Sequence, residues 1–240
     1  MKIVDYRKLR FSNLKSRQFS HLFLLLFWIF YGWGFEFVET LSLNYTTIYH
    51  PLDDVVPFCE YFVIPYYFWF AYIVLAIIHT GLFDIPAFKR YMWFIILTYT
   101  FTLAFYLIFP NMQELRVTEF QNNNIFTEIV KYTYSIDTNT NVFPSLHVIG
   151  GVGSLFAFWE AKPFNTPGWR IANVICTILI CLSTVFLKQH SVLDILGGLV
   201  VCAIAYPIVY KNKRLKTDYP YYLDTKESKK AAEREVAAVK

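Results

Sequence analysis

Six apolar runs, each near the length a helix needs to cross a bilayer, constrain this chain more than any other feature of its sequence. They lie at approximately His21–Thr40, Phe58–Thr80, Tyr91–Phe109, His147–Trp159, Arg170–Leu187 and Val192–Tyr210. About 20 apolar residues span a hydrocarbon core. A segment in lipid must satisfy its own backbone, so each run is read as a helix. The fourth and fifth are short or soft-edged. Only 17% of the 240 residues are charged, against 56% hydrophobic, where soluble domains carry about 25% charge. That balance excludes a disordered chain and argues against a soluble one. The expected fold class is all-α, a six-span transmembrane helical bundle. Residues 1–20 form a basic N-terminal segment, 21–210 the membrane domain and 211–240 a charged tail.

The basic residues give this bundle a sidedness. Six precede the first run, Lys89 and Arg90 follow the second, Lys162 and Arg170 follow the fourth, and nine lie from Lys211 onward. The other three loops hold only Arg116, Lys131 and Lys188. Nineteen of the 22 Lys and Arg thus fall on one side, which puts both termini in the cytoplasm by the positive-inside rule. Trp28, Trp33, Trp69, Trp93, Trp159 and Trp169 fall near run ends, as an interfacial belt would. The stretch after Arg17 has no small-residue cleavage site and is read as an uncleaved anchor. The basic N-terminal segment suits anionic headgroups. In the tail, Asp224 and Glu227 resemble a capping box for a short solvated helix. Cys59, Cys176, Cys181 and Cys202 sit in apolar runs without metal-ligand spacing and read as buried thiols. A net charge of +4 does not suggest nucleic acid.

Ionisable residues at span ends are then the candidates for chemistry. Ser145 follows Pro144 and opens the fourth run as an N-cap, with His147 in the first turn. That helix start reads either as a simple cap or as an anion site. His190 and Asp194, spaced i, i+4 at the start of the sixth run, share one face. The carboxylate can fix the imidazole tautomer, or the pair can be structural. Arg116, beyond the third run, is an anion clamp, a headgroup contact or a partner of Glu114 or Glu119. His147 and His190 are 43 positions apart, about two spanning helices and a turn, so both return to one membrane face. Arg116, Ser145, His147, His190 and Asp194 can therefore converge. An anion clamp, two imidazoles and an orienting carboxylate suit phosphoryl transfer. Acidic clusters with Mg spacing are missing from these loops, and no metal or cofactor is expected.

At these residues the chain resembles the type 2 phosphatidic acid phosphatase superfamily. That family's Pro-Ser-Gly-His is here Pro144-Ser145-Leu146-His147. Its Ser-Arg, five residues, His, three residues, Asp is here Ser183-Thr184, His190 and Asp194 at the same spacing. Its Lys, six residues, Arg-Pro is here Phe109, Arg116 and Val117. The resemblance implies that His190 is a nucleophile forming a phosphohistidine, oriented by Asp194, and that His147 is the general acid. Arg116 and Ser145, with Leu146 in the motif, would bind phosphate. Lys188, two residues before His190, would replace a missing cation. Leu146 in place of Gly, and Gln189-His190 without the upstream Arg, resemble the inositol phosphorylceramide synthase branch, which is similar to sphingomyelin synthases. The resemblance implies a lipid phosphatase acting on phosphatidic acid or a prenyl pyrophosphate. Alternatives are a transferase passing a phospho-headgroup to a lipid alcohol, and an inactive lipid-binding scaffold. The implied partners are a phosphorylated lipid and membrane lipids, with the site on the extracytoplasmic side, in the plasma membrane.

Asp53, Asp54, Glu36, Glu39 and Glu60 read as caps or interfacial groups, or as holders of a headgroup or acceptor alcohol. Ile125, Ile129 and Tyr132 recur at helical spacing and predict an interfacial helix within 122–140.

Overall fold

A computed structural model of the protein describes residues 4–16, 18–41, 43–161 and 166–212. The tail helix expected around Asp224 lies outside these residues. The chain is built from α1 (Phe27–Glu39), α2 (Leu52–Val55), α3 (Val63–Phe83), α4 (Ile85–Ile108), α5 (Ile125–Ile136), α6 (Leu146–Glu160), α7 (Pro167–Phe186) and α8 (Val192–Tyr210). Among the described residues five helices are long and apolar enough to cross a membrane: Ser20–Glu39, Glu60–Phe83, Ile85–Ile108, Pro167–Phe186 and Val192–Tyr210. The first runs as a 3₁₀ helix over Ser20–Leu26 before α1. These helices fit an integral membrane protein.

The fourth expected span is the exception. α6 has 15 residues, about 22 Å of helix against a core of about 30 Å. It occupies the centre of the bundle, packed on α3, α4, α7 and α8. Its neighbours, not lipid, cover most of its surface. Glycine permits that placement. A Cβ on Gly150 would lie 2.6 Å from Tyr99 Oη and 2.8 Å from both Ile73 Cδ1 and Trp69 Nε1. Around α6 the core is aromatic and aliphatic, with Tyr72, Tyr91, Phe94, Tyr99 and Ile149 at its heart. Large apolar side chains such as Phe30, Trp33, Ile108 and Ile204 instead face outward, as on a lipid-facing surface. Of the tryptophans expected in a belt, Trp33, Trp93, Trp159 and Trp169 are exposed. Trp28 and Trp69 pack against the core.

α4 begins six residues before the expected start. Asp84 accepts the amide of Ala87 at 3.0 Å and Pro86 occupies the first turn, a cap that sets the helix start. Lys89 and Arg90, expected in a loop, therefore lie in α4. Arg90 is buried and its Nε lies 2.6 Å from Glu160 Oε2 at the end of α6, so the charge faces a partner inside the bundle.

The loops 40–62, 109–145 and 187–191 gather at one end of the bundle. They carry the only strands among the described residues: Thr46–Thr47 (β1) pairs in parallel with Asn111–Met112 (β2), and Met112 bridges Thr140. α5, capped by Asn124, packs its Val130 with Val63, Tyr66 and Leu187 and roofs this end.

Candidate active site

The start of α8 is organised around one carboxylate. Asp194 Oδ2 accepts Ser191 N at 3.0 Å and lies 3.0 Å from His190 Nδ1. Ser191 returns the capping contact to Leu193 N, so the helix start fixes Asp194 and Asp194 fixes the ring. With Nδ1–H donated to the carboxylate, the lone pair of the neutral imidazole is on Nε2. That nitrogen lies 3.5 Å from Ser145 Oγ. Ser145 caps α6, and its backbone N–H donates to the carbonyl of Asp194 at 3.1 Å. A Cβ on Gly198 would fall 2.9 Å from Val148 Cβ and 3.1 Å from Ser145 O, so α8 approaches the α6 cap only through a glycine.

His147, in the first turn of α6, faces His190 with ring centroids 5.6 Å apart. Tyr66 and Trp69 of α3 flank it, each with a centroid at 4.4 Å. The two histidines, Leu146 and Gln189 line one cavity of about 360 Å³, whose other walls include Tyr31, Phe35, Tyr67 and Asp137. The cavity joins polar chemistry to an aromatic wall between α1 and α3, which suits a polar group carried on an apolar tail.

The segment leading to Ser145 is held from behind. Buried Asn111 Oδ1 accepts Val142 N at 2.9 Å and Phe143 N at 2.7 Å, and its Nδ2 donates to Phe109 O and Phe143 O. Tyr106 Oη donates to Pro144 O at 2.9 Å, and the Phe143–Pro144 peptide is cis.

Both expected phosphate-binding cations are elsewhere engaged. Arg116 Nε and Nη2 donate to Gln189 Oε1 at 3.0 and 2.7 Å. Nη1 donates to the carbonyls of Tyr134 and Asp137, and Nη2 also to that of Thr138. A guanidinium has five N–H groups, and all five are occupied. Burial pulls its pKa below the ordinary value, and Asp137 partly restores it. Lys188, at φ 54°, sends Nζ to the carbonyls of Asp53 and Val56. It is turned toward α2 and does not reach the cavity. Among the described residues no Lys or Arg lines that cavity, while Asp137 does. Desolvation raises the Asp137 pKa above its ordinary value, against Arg116 and His190, which lower it.

The acidic residues near the span ends brace loops instead of lining the site. Glu39 accepts from the hydroxyls of Thr138 and Thr140 and from Asn141 Nδ2. Glu60 accepts from Asn122 and Asn124 at 2.8 and 2.9 Å, tying α3 to α5. Asp53, read from sequence as a group at the start of the second span, serves α8. It is 2% exposed. Oδ2 accepts Ser191 Oγ–H at 2.6 Å and His50 N at 2.8 Å, and Oδ1 accepts Val192 N at 2.8 Å. A carboxylate at this N-terminus also complements the helix dipole. Nothing in the local pattern marks it, because its partner lies 139 positions away.

Residues 109–218 match the family model of the PAP2 superfamily. No curated protein and no solved structure matches the chain. The matched segment contains Arg116, Ser145, His147, His190 and Asp194, and it supports membership of that superfamily. Its members are generally phosphatases or phosphotransferases acting on phosphorylated substrates.

Proposed function

We propose that this chain is an integral membrane enzyme that cleaves a phosphorylated lipid through a phosphohistidine on His190. One observation carries the reading: His190 Nδ1 lies 3.0 Å from Asp194 Oδ2, leaving Nε2 beside Ser145 on a cavity shared with His147. His190 Nε2 attacks phosphorus and the P–O bond to the leaving group breaks. The leaving oxygen takes a proton from His147. Tyr66 and Trp69 hold the His147 ring from α3. An incoming hydroxyl then gives His147 its proton and attacks phosphorus, the P–N bond breaks and His190 is restored. With water as the acceptor the enzyme is a lipid phosphatase acting on phosphatidic acid or a prenyl pyrophosphate. Ser145 and the N–H groups of the α6 start would meet the developing charge. The positive-inside pattern of the sequence supports a site on the extracytoplasmic side, with the plasma membrane as the expected location.

A second reading has its own support. A phosphomonoester dianion calls for cations, yet Arg116 and Lys188 are engaged with carbonyls and Asp137 lines the cavity. This favours a phosphodiester donor, with transfer of a phospho-headgroup to a lipid alcohol, as the resemblance to inositol phosphorylceramide synthases implies.

The test uses purified protein in detergent with EDTA. Phosphatidic acid, and separately a phospholipid donor with a lipid alcohol, are supplied, and inorganic phosphate and new phosphodiester lipid are read. Product from either that is lost in His190→Ala supports phosphoryl transfer, and the product identity chooses between water and alcohol. Equal activity of His190→Ala would refute the nucleophile.

A further inference from the structure

Gln189 stands directly before the proposed nucleophile, is 3% exposed and lines the cavity. Its backbone N–H is held by Thr184 O at 2.9 Å. Its side chain is asymmetric in its bonding. Oε1 receives two N–H groups of Arg116, at 3.0 and 2.7 Å. Arg116 has only donors, so the oxygen must face it and the amide cannot be flipped. Nε2 therefore lies on the other side, buried and without a partner. Buried donors in a folded protein are normally satisfied, and leaving one unmade costs about 1–3 kcal/mol. His147 Nε2, on the same cavity, is likewise buried and unpartnered. An idle amide donor beside a nucleophilic imidazole calls for an acceptor that the described residues do not supply.

The charge of that acceptor follows from what lies around it. Arg116 has no N–H left to offer. Asp137 also lines the wall. A neutral amide donor beside a carboxylate suits a weakly charged oxygen better than a dianion, since charge-assisted bonds to a dianion need cations.

We propose that Gln189 is a substrate-binding residue. Its Nε2 donates to a non-bridging oxygen of a monoanionic phosphodiester lipid, and Arg116 is a positioning residue that sets the amide from behind. The proposal rests on the phosphoryl-transfer reading and adds the substrate's charge class and the group that recognises it.

Gln189→Met keeps the length and removes the donors. Gln189→Glu also removes them but keeps an acceptor for Arg116, so the latch from Arg116 to the loop survives. Turnover of phosphatidylcholine and phosphatidylinositol, each with a lipid alcohol, is compared with turnover of phosphatidic acid, and thermal unfolding is recorded for each variant. Losing one such donor costs about 10²-fold in kcat. Both variants should lose about that factor on the diesters, with a smaller loss on phosphatidic acid. Arg116→Lys should also slow diester turnover, and the Arg116→Lys/Gln189→Met double variant should be no slower than Gln189→Met alone. A purely structural Arg116 would give additive losses.

A second arm does not depend on turnover. Orthovanadate is titrated against tryptophan fluorescence, which Trp69 reports from the cavity wall. Saturable binding by the wild type that weakens at least 10-fold in both Gln189 variants supports the amide as an oxyanion ligand, even if no lipid is turned over and phosphoryl transfer itself fails. Equal binding in all three proteins, or no binding by the wild type, overturns it. So does wild-type diester turnover in Gln189→Glu, or loss that merely follows lowered thermal stability.

Discussion

Replacing Asp53 with Asn should loosen the start of α8 and, with it, the His190 ring. The carboxylate receives three donors: Ser191 Oγ–H at 2.6 Å, His50 N at 2.8 Å and Val192 N at 2.8 Å. Whichever way an amide turns, one oxygen becomes an NH₂ that faces a backbone donor. Hydrogen bonds to a charged group contribute about 1.5–3 kcal/mol each, and the lost charge at the helix N-terminus adds about 0.3–1 kcal/mol. The Ser191 hydroxyl can rotate to accept, which offsets part of the loss, so the net cost is about 3 kcal/mol. For a chain of this size 1 kcal/mol moves Tm by about 2–4 °C, giving a fall of about 6–12 °C. The assay is thermal unfolding in detergent beside the same measurement on Asp54→Asn. Asp54 is exposed and its carboxylate accepts Tyr49 Oη–H at 2.6 Å, so its removal should move Tm by no more than about 2 °C, the scale of an exposed contact. Equal Tm changes in the two variants would refute the assignment of Asp53 as the anchor of α8.

Three other outcomes follow from the packing and the charges. Arg90→Ala leaves Glu160 without its 2.6 Å contact and should cost about 3 kcal/mol, the low end for a buried pair given the partial exposure of Glu160; a Tm change under 2 °C would contradict this. Gly150→Ala forces a methyl onto Tyr99, Ile73 and Trp69 and should destabilise by about 1–3 kcal/mol, whereas Gly32→Ala, with no atom within 4 Å of the new Cβ, should be neutral or stabilising; paired melting curves decide it. Asp137 is acted on by Arg116, His190, Glu39 and Tyr66, and its pKa is raised above the 3.8 of a free carboxyl. Folded protein then holds a proton that unfolded chain releases, so stability falls as pH rises from about 3.8 through the raised value. Asp137→Asn should flatten that slope and raise Tm at neutral pH; an unchanged slope would contradict the assignment.

Much of the site was legible because its geometry is local. Ser145 and His147 share one helix start, and His190 and Asp194 share one face, so motif spacing alone places them. The glycines of α6 allow close approach by its neighbours, as at Gly150 and Gly153, but its central place was not legible, because the run reads as an ordinary span. Its shortness as a span follows less directly, since only burial by four neighbouring helices allows it. The start of α4 turned on the Asp84 cap, which sits before a charged Lys89-Arg90 pair that looks like a loop until Glu160 is brought alongside. The roles of Arg116, Lys188 and Asp53 were not legible. Each depends on long-range carbonyls, amides or helix ends: Gln189 lies 73 positions from Arg116 and Val56 lies 132 from Lys188. A cation's type can be read from sequence, but whether its donors are already occupied cannot.

The most direct test of the account is the covalent intermediate. Protein in detergent with EDTA is mixed with phosphatidic acid or with a phospholipid donor, quenched in alkali, digested and mapped by mass spectrometry. The account places a phosphoryl or phospho-headgroup adduct on His190, absent from His190→Ala, whose turnover should fall by about 10⁴-fold or more. An adduct on a different residue, or full turnover by His190→Ala, would contradict it.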